Sequence, residues 1–139
     1  MDKQQAKEQF NYALEHEKPE FEHFFLAKFL GLNFLYENEQ CIITFSSKRF
    51  MFNPQGTLHG GVITFVLDVS MGHLCKKHLG TAITVEMKTQ FLRPVSEGDV
   101  QCVSTFVKKG SKLAFLKSNL YNEQGKLAAT ATSTWLKTE

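Results

Sequence analysis

The first thirty residues alternate apolar and polar positions with a helical period. The spacing of Phe10 and Leu14 predicts a helix over residues 2–16, and a cluster of phenylalanines predicts a second helix over 20–30. The proline between these two segments cannot continue a helix, so the break is placed there. We expect this helical extension to precede a single folded domain over residues 31–139.

Alternation with the two-residue period of a strand begins after this extension. A hairpin is predicted from two short apolar runs joined by polar residues, and four longer strands are predicted in the second half of the chain. Turn signals separate the last three of these strands, which predicts an antiparallel meander. The predicted strands are 32–36, 40–46, 81–93, 100–108, 113–121 and 127–136.

Between the two groups of strands lies the most apolar segment of the chain. After an irregular connection over residues 47–58, this segment predicts a helix from His59 to Leu79 that is ended by Gly80. The order of elements predicts an α+β fold, in which a single sheet curls around this long central helix and buries its apolar residues.

Composition and charge narrow the class of protein. A chain of 139 residues that is 42% hydrophobic, with a net charge of +2, is typical of one globular domain and does not favour a nucleic-acid partner. No apolar run reaches the roughly 18 residues of a membrane-spanning helix, so no membrane partner is expected. The three cysteines are odd in number and lack a CxxC pair, which favours a reducing cytoplasmic location over a disulfide framework or a zinc site.

Asp68 is the most informative residue of the apolar segment. Apart from histidines, it is the only ionisable residue between Asn53 and Cys75. A carboxylate in such surroundings is energetically costly unless it is paired, hydrated or used in a reaction. It can take a proton from water as a general base or attack a carbonyl carbon itself. A helix aspartate that only faces water or accepts a core hydrogen bond is the alternative.

A pair of glycines, Gly60 and Gly61, opens the same helix. Backbone N–H groups in the first turn of a helix have no intrahelical acceptor, so they can stabilise negative charge that develops on a substrate oxygen. The alternative is steric, because glycine also lets the start of a helix approach a neighbouring strand closely. The two roles are compatible at one position.

The segments NPQGTLHGGVITFVLD at 53–68 and ITVEMKTQFLRPVSEGD at 83–99 resemble the hotdog-fold acyl-CoA thioesterases. They are most similar to the branch that contains the phenylacetic-acid-pathway thioesterases and the human thioesterase-superfamily proteins. The resemblance extends over roughly residues 31–137. It implies a curved antiparallel sheet around a central helix, and a homodimer, often a dimer of dimers, with active sites at the dimer interface. It also implies that coenzyme A is part of the substrate and that no metal or other cofactor is needed.

The resemblance assigns roles to individual positions. Asp68 would be the general base or nucleophile, and the Gly60 N–H of the opposite subunit would be the oxyanion donor. Asn53 and Thr84 would assist, although each is also a common turn or strand residue. His59 would mainly support the geometry of the loop. The residues expected to bind the substrate, including the phosphates of coenzyme A, are Gly61, Arg93, Lys109, Gly110, Ser111 and Lys112.

A non-catalytic acyl-CoA-binding or regulatory protein is the alternative function. The presence of Asp68 and of the glycine pair favours the enzyme, because a protein that only binds acyl-CoA has no need of them. Phenylalanines near the N-terminus indicate an apolar acyl group, but they do not distinguish a fatty chain from an aryl group.

Overall fold

The computed structural model describes residues 1–138, so residue 139 of the predicted domain lies outside the described part. Three α-helices and six strands form the chain, with a short 3-10 turn at Arg49–Met51. The helices are α1 (Lys3–His16), α2 (Phe25–Phe29) and α3 (Gly60–His78). The strands are β1 (Asn33–Glu37), β2 (Gln40–Ser47), β3 (Ala82–Phe91), β4 (Gly98–Lys109), β5 (Leu113–Tyr121) and β6 (Leu127–Lys137).

All six strands belong to one antiparallel sheet with the order β1-β2-β4-β5-β6-β3. The predicted meander of the last three strands is therefore confirmed. Strand β3 does not pair with its neighbour in sequence but crosses to the far side of β6, where it forms one edge of the sheet. The other edge is β1.

The long helix α3 packs against β2, β3, β4, β5 and β6. Leu67, Met71 and Leu74 of α3 are fully buried, and they share one core with Ile43 and Leu116 of the sheet. The predicted α+β fold, with a single curved sheet around a central helix, is confirmed.

The ends of α3 follow the sequence signals. His59 caps its N-terminus, and Gly80 adopts a left-handed backbone conformation with φ of 108° just beyond its C-terminus. The N–H groups of Leu79 and Gly80 both donate to the carbonyl of Cys75, at 2.7 and 3.1 Å. The predicted helix over 59–79 is correct to within one residue at each end.

The second predicted helix, over 20–30, is wrong in its first half. Only Phe25–Phe29 is helical, and the preceding residues form turns. Glu22 has φ of 73°, which is outside the right-handed helical region. Its N–H donates to Nε2 of His73 on α3 at 3.0 Å. A contact with a residue distant in sequence therefore overrides the local helical pattern.

Candidate active site

Asp68 lies near the middle of α3, half-buried, beside the edge strand β3. The Thr84 hydroxyl donates to Oδ1 of Asp68 at 2.8 Å. Burial raises the pKa of the Asp68 carboxyl above its ordinary value, and the hydrogen bond from Thr84 partly offsets this by favouring the charged form. Asp68 and Thr84, which were predicted on a helix and on a strand, therefore form one hydrogen-bonded pair.

A β-bulge directs the Thr84 side chain toward Asp68. The pairing of β3 with β6 runs from Thr84 opposite Trp135 to Glu86 opposite Thr134, so Val85 is an extra residue. A bulge changes which residues of a strand face the core. The bulge lets Thr84 face α3 while Met87, three positions further on, also packs against the core.

Asp68 lines a pocket of about 380 Å³ between four parts of the fold. The helix contributes Asp68 and Gly72, the two strands β3 and β6 contribute Ala82 and Trp135, and the turns before α2 contribute two phenylalanines, Phe21 and Phe24. Most of the lining is apolar. Two carboxylates line the pocket, the half-buried Asp68 and the exposed Glu20. A half-buried carboxylate at the wall of an apolar pocket is a common arrangement in sites that bind and transform an apolar ligand.

Gly72 allows Trp135 to form the floor of this pocket. A Cβ at position 72 would lie only 2.9 Å from the Trp135 ring, so only glycine permits this approach without movement of the ring. The indole N–H donates to the Ser133 hydroxyl at 2.7 Å, and Trp135 is 4% exposed. The position of this ring therefore depends on both the helix and its own strand.

Gly60 is the first residue of α3 and carries an available donor. The side chain of His59 accepts the Gly61 N–H through Nδ1 at 2.8 Å, and its carbonyl accepts the N–H groups of Val62 and Ile63 at 3.0 and 3.1 Å. Within residues 1–138 the Gly60 N–H has no acceptor. The predicted supporting role of His59 agrees with this geometry, and Gly60 rather than Gly61 offers a free N–H at the helix N-terminus.

Gly60 lines a second pocket, of about 360 Å³, together with Asn53, Phe91 and Arg93. The side-chain amide oxygen of Asn53, Oδ1, accepts the N–H groups of Gln55 and Thr57 at 2.9 and 3.2 Å, so the side chain stabilises its own loop. Its amide donates to the Thr57 hydroxyl at 3.2 Å. Three predicted site residues, Asn53, Gly60 and Arg93, therefore line this pocket. The side chain of Asn53 already forms hydrogen bonds within its own loop.

The free donor and the acid belong to different pockets of one chain. Among the described residues, none lines both the Gly60 pocket and the Asp68 pocket. Eight residues of helix separate Gly60 from Asp68, which corresponds to about 12 Å along the axis. An oxygen that accepts a hydrogen bond from the Gly60 N–H of one chain is therefore too far from Asp68 of that chain for both to act on one carbonyl.

The residues predicted to contact coenzyme A lie at two ends of the molecule. Arg93 donates to the carbonyl of Leu127, at the start of β6, at 2.7 Å. The basic turn after β4 lies next to Leu136, near the end of β6, because Leu113 pairs with that residue. Nine strand residues separate the two places, roughly 30 Å. One chain therefore does not bring them together.

Within the basic turn, the predicted binding residues differ in their contacts. Lys109 forms an exposed ion pair with Glu39. The Gly110 N–H donates to the Leu113 carbonyl at 2.9 Å, and a side chain at position 110 would collide with that carbonyl. Ser111 and Lys112 are exposed. Glycine is thus needed for the tight turn, and the exposed side chains beside it are accessible to a ligand.

Sequence reasoning did not assign Gly72, His73, Phe91 and Trp135 to the site, yet all four line one of the two pockets. No role was predicted for His73 from the sequence. Its position in an apolar stretch, five residues after Asp68, was the signal that could have indicated a place near Asp68. The position of Trp135 opposite Thr84 depends on strand pairing and has no local signal.

The three cysteines do not offer a second nucleophile. The cysteines are unpaired and buried, and burial raises the pKa of the Cys41 and Cys75 thiols to about 12 and that of Cys102 to about 11. Such thiols are protonated at neutral pH and unreactive. Within the described residues 1–138, no group of three ligands could hold a metal ion, and no helix is long and apolar enough to cross a membrane.

The fold defines the class of protein. A Bacillus halodurans protein, BH2602, crystallised with coenzyme A, superimposes with a TM-score of 0.88 over 98% of this chain and 93% of that chain, at 18% identity. The Escherichia coli PaaI protein from the phenylacetic acid degradation operon gives a TM-score of 0.81 over 94% of this chain and 96% of that chain, at 19% identity. At these identities the likeness concerns the fold, and the predicted hotdog fold is confirmed.

Sequence comparison identifies the family. Residues 55–129, just over half of the chain, match the model of the thioesterase superfamily. The medium/long-chain acyl-CoA thioesterase YigI of Escherichia coli K12 is 28% identical over 119 residues, which cover 73% of this chain and 77% of that protein. Human acyl-coenzyme A thioesterase 13 is 33% identical over 86 residues, which cover 59% of this chain and 61% of that protein. The chain belongs to the thioesterase superfamily, and the prediction of a thioester hydrolase is confirmed.

Proposed function

We propose that this protein hydrolyses acyl-CoA thioesters to a free carboxylic acid and coenzyme A, with Asp68 of one subunit and the Gly60 N–H of a second subunit acting on the same carbonyl. The observation that carries the proposal is the half-buried Asp68 carboxylate, hydrogen-bonded by Thr84 at the wall of an apolar pocket. The names of YigI and of acyl-coenzyme A thioesterase 13, and the coenzyme A in the BH2602 crystals, support the substrate class.

Asp68 can act by two routes. As a general base it takes a proton from water, and the water oxygen attacks the thioester carbonyl carbon. As a nucleophile it attacks that carbon itself, expels the coenzyme A thiolate and forms an anhydride that water then hydrolyses. Both routes need the ionised carboxylate. A single turnover in ¹⁸O-labelled water tests the second route, because label enters the Asp68 side chain only when an anhydride forms and water attacks its Asp68 carbonyl.

The Gly60 N–H suits the oxyanion of the tetrahedral intermediate. It points out from a helix N-terminus, where the helix dipole favours negative charge, and it needs no rearrangement to donate. When the carbon–sulfur bond breaks, the carbonyl re-forms and coenzyme A leaves as its thiolate. Arg93, in the same pocket, offers a cation near the entering thioester.

Strand β3 offers the surface for a second subunit. It is an edge strand of ten residues that pairs only with β6 among the described strands. Ile83, Val85 and Phe91 along it are more than half exposed. A long, apolar, unpaired edge is a favourable place for another chain to continue the sheet. Antiparallel pairing of two β3 strands would bring the Thr84–Asp68 pair of one chain toward the Gly60 pocket of the other.

Thiol release from short, medium, long-chain and aryl acyl-CoAs tests the proposal. We expect turnover of at least one substrate, and a fall of about a hundredfold or more in Asp68→Asn. Asp99→Asn is the matched control, because it removes an exposed carboxylate from β4 outside both pockets. Binding of acyl-CoA without hydrolysis across the panel would instead establish a non-catalytic acyl-CoA-binding protein.

A further inference from the structure

We propose that residues 19–24, here called the N-terminal wall, close the acyl end of the Asp68 pocket, and that the Phe21 ring sets the longest acyl group the enzyme accepts. The inference rests on the proposed hydrolysis of acyl-CoA, because the pocket is assigned to the acyl group through Asp68. It concerns residues outside the part of the chain, 55–129, that matches the thioesterase superfamily model.

The Phe21 ring separates two cavities. Phe21 and His73 line the Asp68 pocket of about 380 Å³, and the same two residues line a further cavity of about 200 Å³. The other walls of this second cavity include Tyr36 and Lys77. Because both cavities share these rings, the rings form the partition between them, and an acyl chain can pass only if Phe21 moves.

Several contacts hold the partition in place. The Phe21 ring centroid lies 4.8 Å from that of His73, and the ammonium of Lys76 lies 5.6 Å from the Phe21 centroid. The next residue, Glu22, is fixed in its left-handed conformation by two hydrogen bonds. Its N–H donates to His73 Nε2 at 3.0 Å, and its carboxylate accepts the Tyr36 hydroxyl at 2.8 Å.

Glu22 is therefore a positioning residue for the wall. It does not face the Asp68 pocket, but it fixes the backbone that presents Phe21 and, two residues later, Phe24. A residue held in the left-handed region by hydrogen bonds on both its backbone and its side chain resists displacement by a ligand.

The chemistry of the pocket indicates the class of acyl group. Phe24 and Trp135 add aromatic faces to those of Phe21 and His73, so the walls favour apolar chains and flat rings. A medium-length chain or a single aryl ring ends before the partition. A long fatty chain must displace Phe21 and enter a cavity bordered by Lys77. Compact acyl groups are therefore the preferred substrates.

Replacement of the partition tests the inference. We expect Phe21→Ala to join the cavities and to raise the ratio of kcat/KM for palmitoyl-CoA to that for octanoyl-CoA at least tenfold, since each newly buried methylene contributes about fourfold. Tyr12→Ala is the matched control, because it removes an exposed aromatic ring from α1 outside both cavities. Phe21 is 39% exposed, so its truncation leaves the core intact.

A second variant tests the positioning role. Tyr36→Phe keeps the ring but removes the hydroxyl that donates to Glu22, so we expect a smaller change of the same ratio in the same direction. A purely structural role of Tyr36 would lower stability without changing chain-length preference. An unchanged ratio in both Phe21→Ala and Tyr36→Phe would overturn the inference.

The same comparison can be made without hydrolysis. S-octyl-CoA and S-hexadecyl-CoA are thioethers that the enzyme cannot cleave, and their Kd values report the acyl pocket alone. We expect Phe21→Ala to improve the relative affinity for S-hexadecyl-CoA. If the thioethers bind with this pattern but no thioester is hydrolysed, the proposed activity fails and the role of Phe21 stands. If thioesters are hydrolysed but Phe21→Ala does not change the chain-length selectivity, the proposed activity stands and the role of Phe21 fails.

Discussion

The Thr84 hydroxyl donates to Oδ1 of Asp68 at 2.8 Å, from the edge strand to the central helix. This bond favours the charged carboxylate, against the effect of burial on its pKa. Removal of the hydroxyl should therefore raise the pKa of Asp68 further above its ordinary value. In Thr84→Val we expect the acidic limb of the kcat/KM profile to move to higher pH, and in Thr84→Ser, which keeps the hydroxyl, to stay near that of the wild type.

The direction of that shift is fixed by the proposed role of Asp68. Both routes use the ionised form, so activity is lost as pH falls through the pKa of the carboxyl. A shift of the acidic limb to lower pH in Thr84→Val would contradict the assignment of this hydrogen bond.

The Gly60 N–H can be removed with little change to the helix. Gly60 occupies the first helical position, where proline is well tolerated, and His59 before it has φ of −61° and ψ of 134°, which suits a residue that precedes proline. We expect Gly60→Pro to lower kcat by about a hundredfold or more, since it removes an oxyanion donor. The measurement is kcat with a saturating substrate, beside circular dichroism to verify the fold.

Gly60→Ala is the control for this variant. It keeps the N–H, and its Cβ would meet the Phe91 ring at 3.4 Å, which is an ordinary contact. We expect it to retain most of the activity. Equal losses in the alanine and proline variants would point to a steric role of Gly60 instead of hydrogen-bond donation.

Mixing two inactive variants tests whether the site is shared between subunits. Asp68→Asn retains Gly60, and Gly60→Pro retains Asp68. In a random mixture, half of the dimers contain one chain of each kind, and one of their two sites is intact. We therefore expect recovery to about a quarter of wild-type activity if subunits exchange within a two-fold symmetric dimer.

The expected recovery requires co-refolding or co-expression, so that mixed dimers form. Size-exclusion chromatography with light scattering checks that dimers are present. Mixed dimers without activity would mean that Gly60 and Asp68 serve separate steps or that one chain forms the whole site.

His73 predicts a pH dependence of stability. Burial lowers the pKa of its imidazole to about 4, although Glu22 and a hydrogen bond to the backbone of Val69 oppose the shift. In the unfolded chain, His73 takes up a proton near its ordinary pKa of about 6.5. In the folded chain, the buried imidazole stays neutral at that pH. The free energy of unfolding should fall by about 3 kcal/mol as pH decreases from 6.5 to 4.

Urea denaturation across this pH range measures the effect. His73→Gln is the suitable comparison, because glutamine keeps an acceptor for the Glu22 N–H but does not titrate. We expect a shallower pH dependence in His73→Gln between pH 6.5 and 4. The same slope in both proteins would show that other groups, and not His73, cause the acid destabilisation.

Local patterns in the sequence predicted most of the fold. The apolar run that forms α3, with glycines at its start and just past its end, has a strong helical signal, and the meander follows from its turn residues. The second helix was predicted too long because the interaction that reverses the chain at Glu22 involves His73, fifty-one residues away. Local propensity contains no information about such a contact.

The site was predictable to the extent that each residue has its own chemical signal. A lone acid made Asp68 a candidate, and a glycine pair made Gly60 one. The resemblance gave Thr84 an assisting role, and its hydrogen bond to Asp68 depends on the packing of β3 against α3. The separation of Gly60 from Asp68 into different pockets depends on helix length and on packing, and the contribution of Trp135 depends on strand pairing.

The bulge at Val85 bears on how this protein can change over evolution. Val85 is the extra residue opposite β6, so its deletion would restore regular pairing and leave Thr84 and Met87 two positions apart, on the same face of the strand. Loss of a residue outside the bulge, such as Lys88, would instead turn the following side chains of β3 to the other face. Related sequences should therefore differ in length at the bulge more readily than elsewhere along this strand.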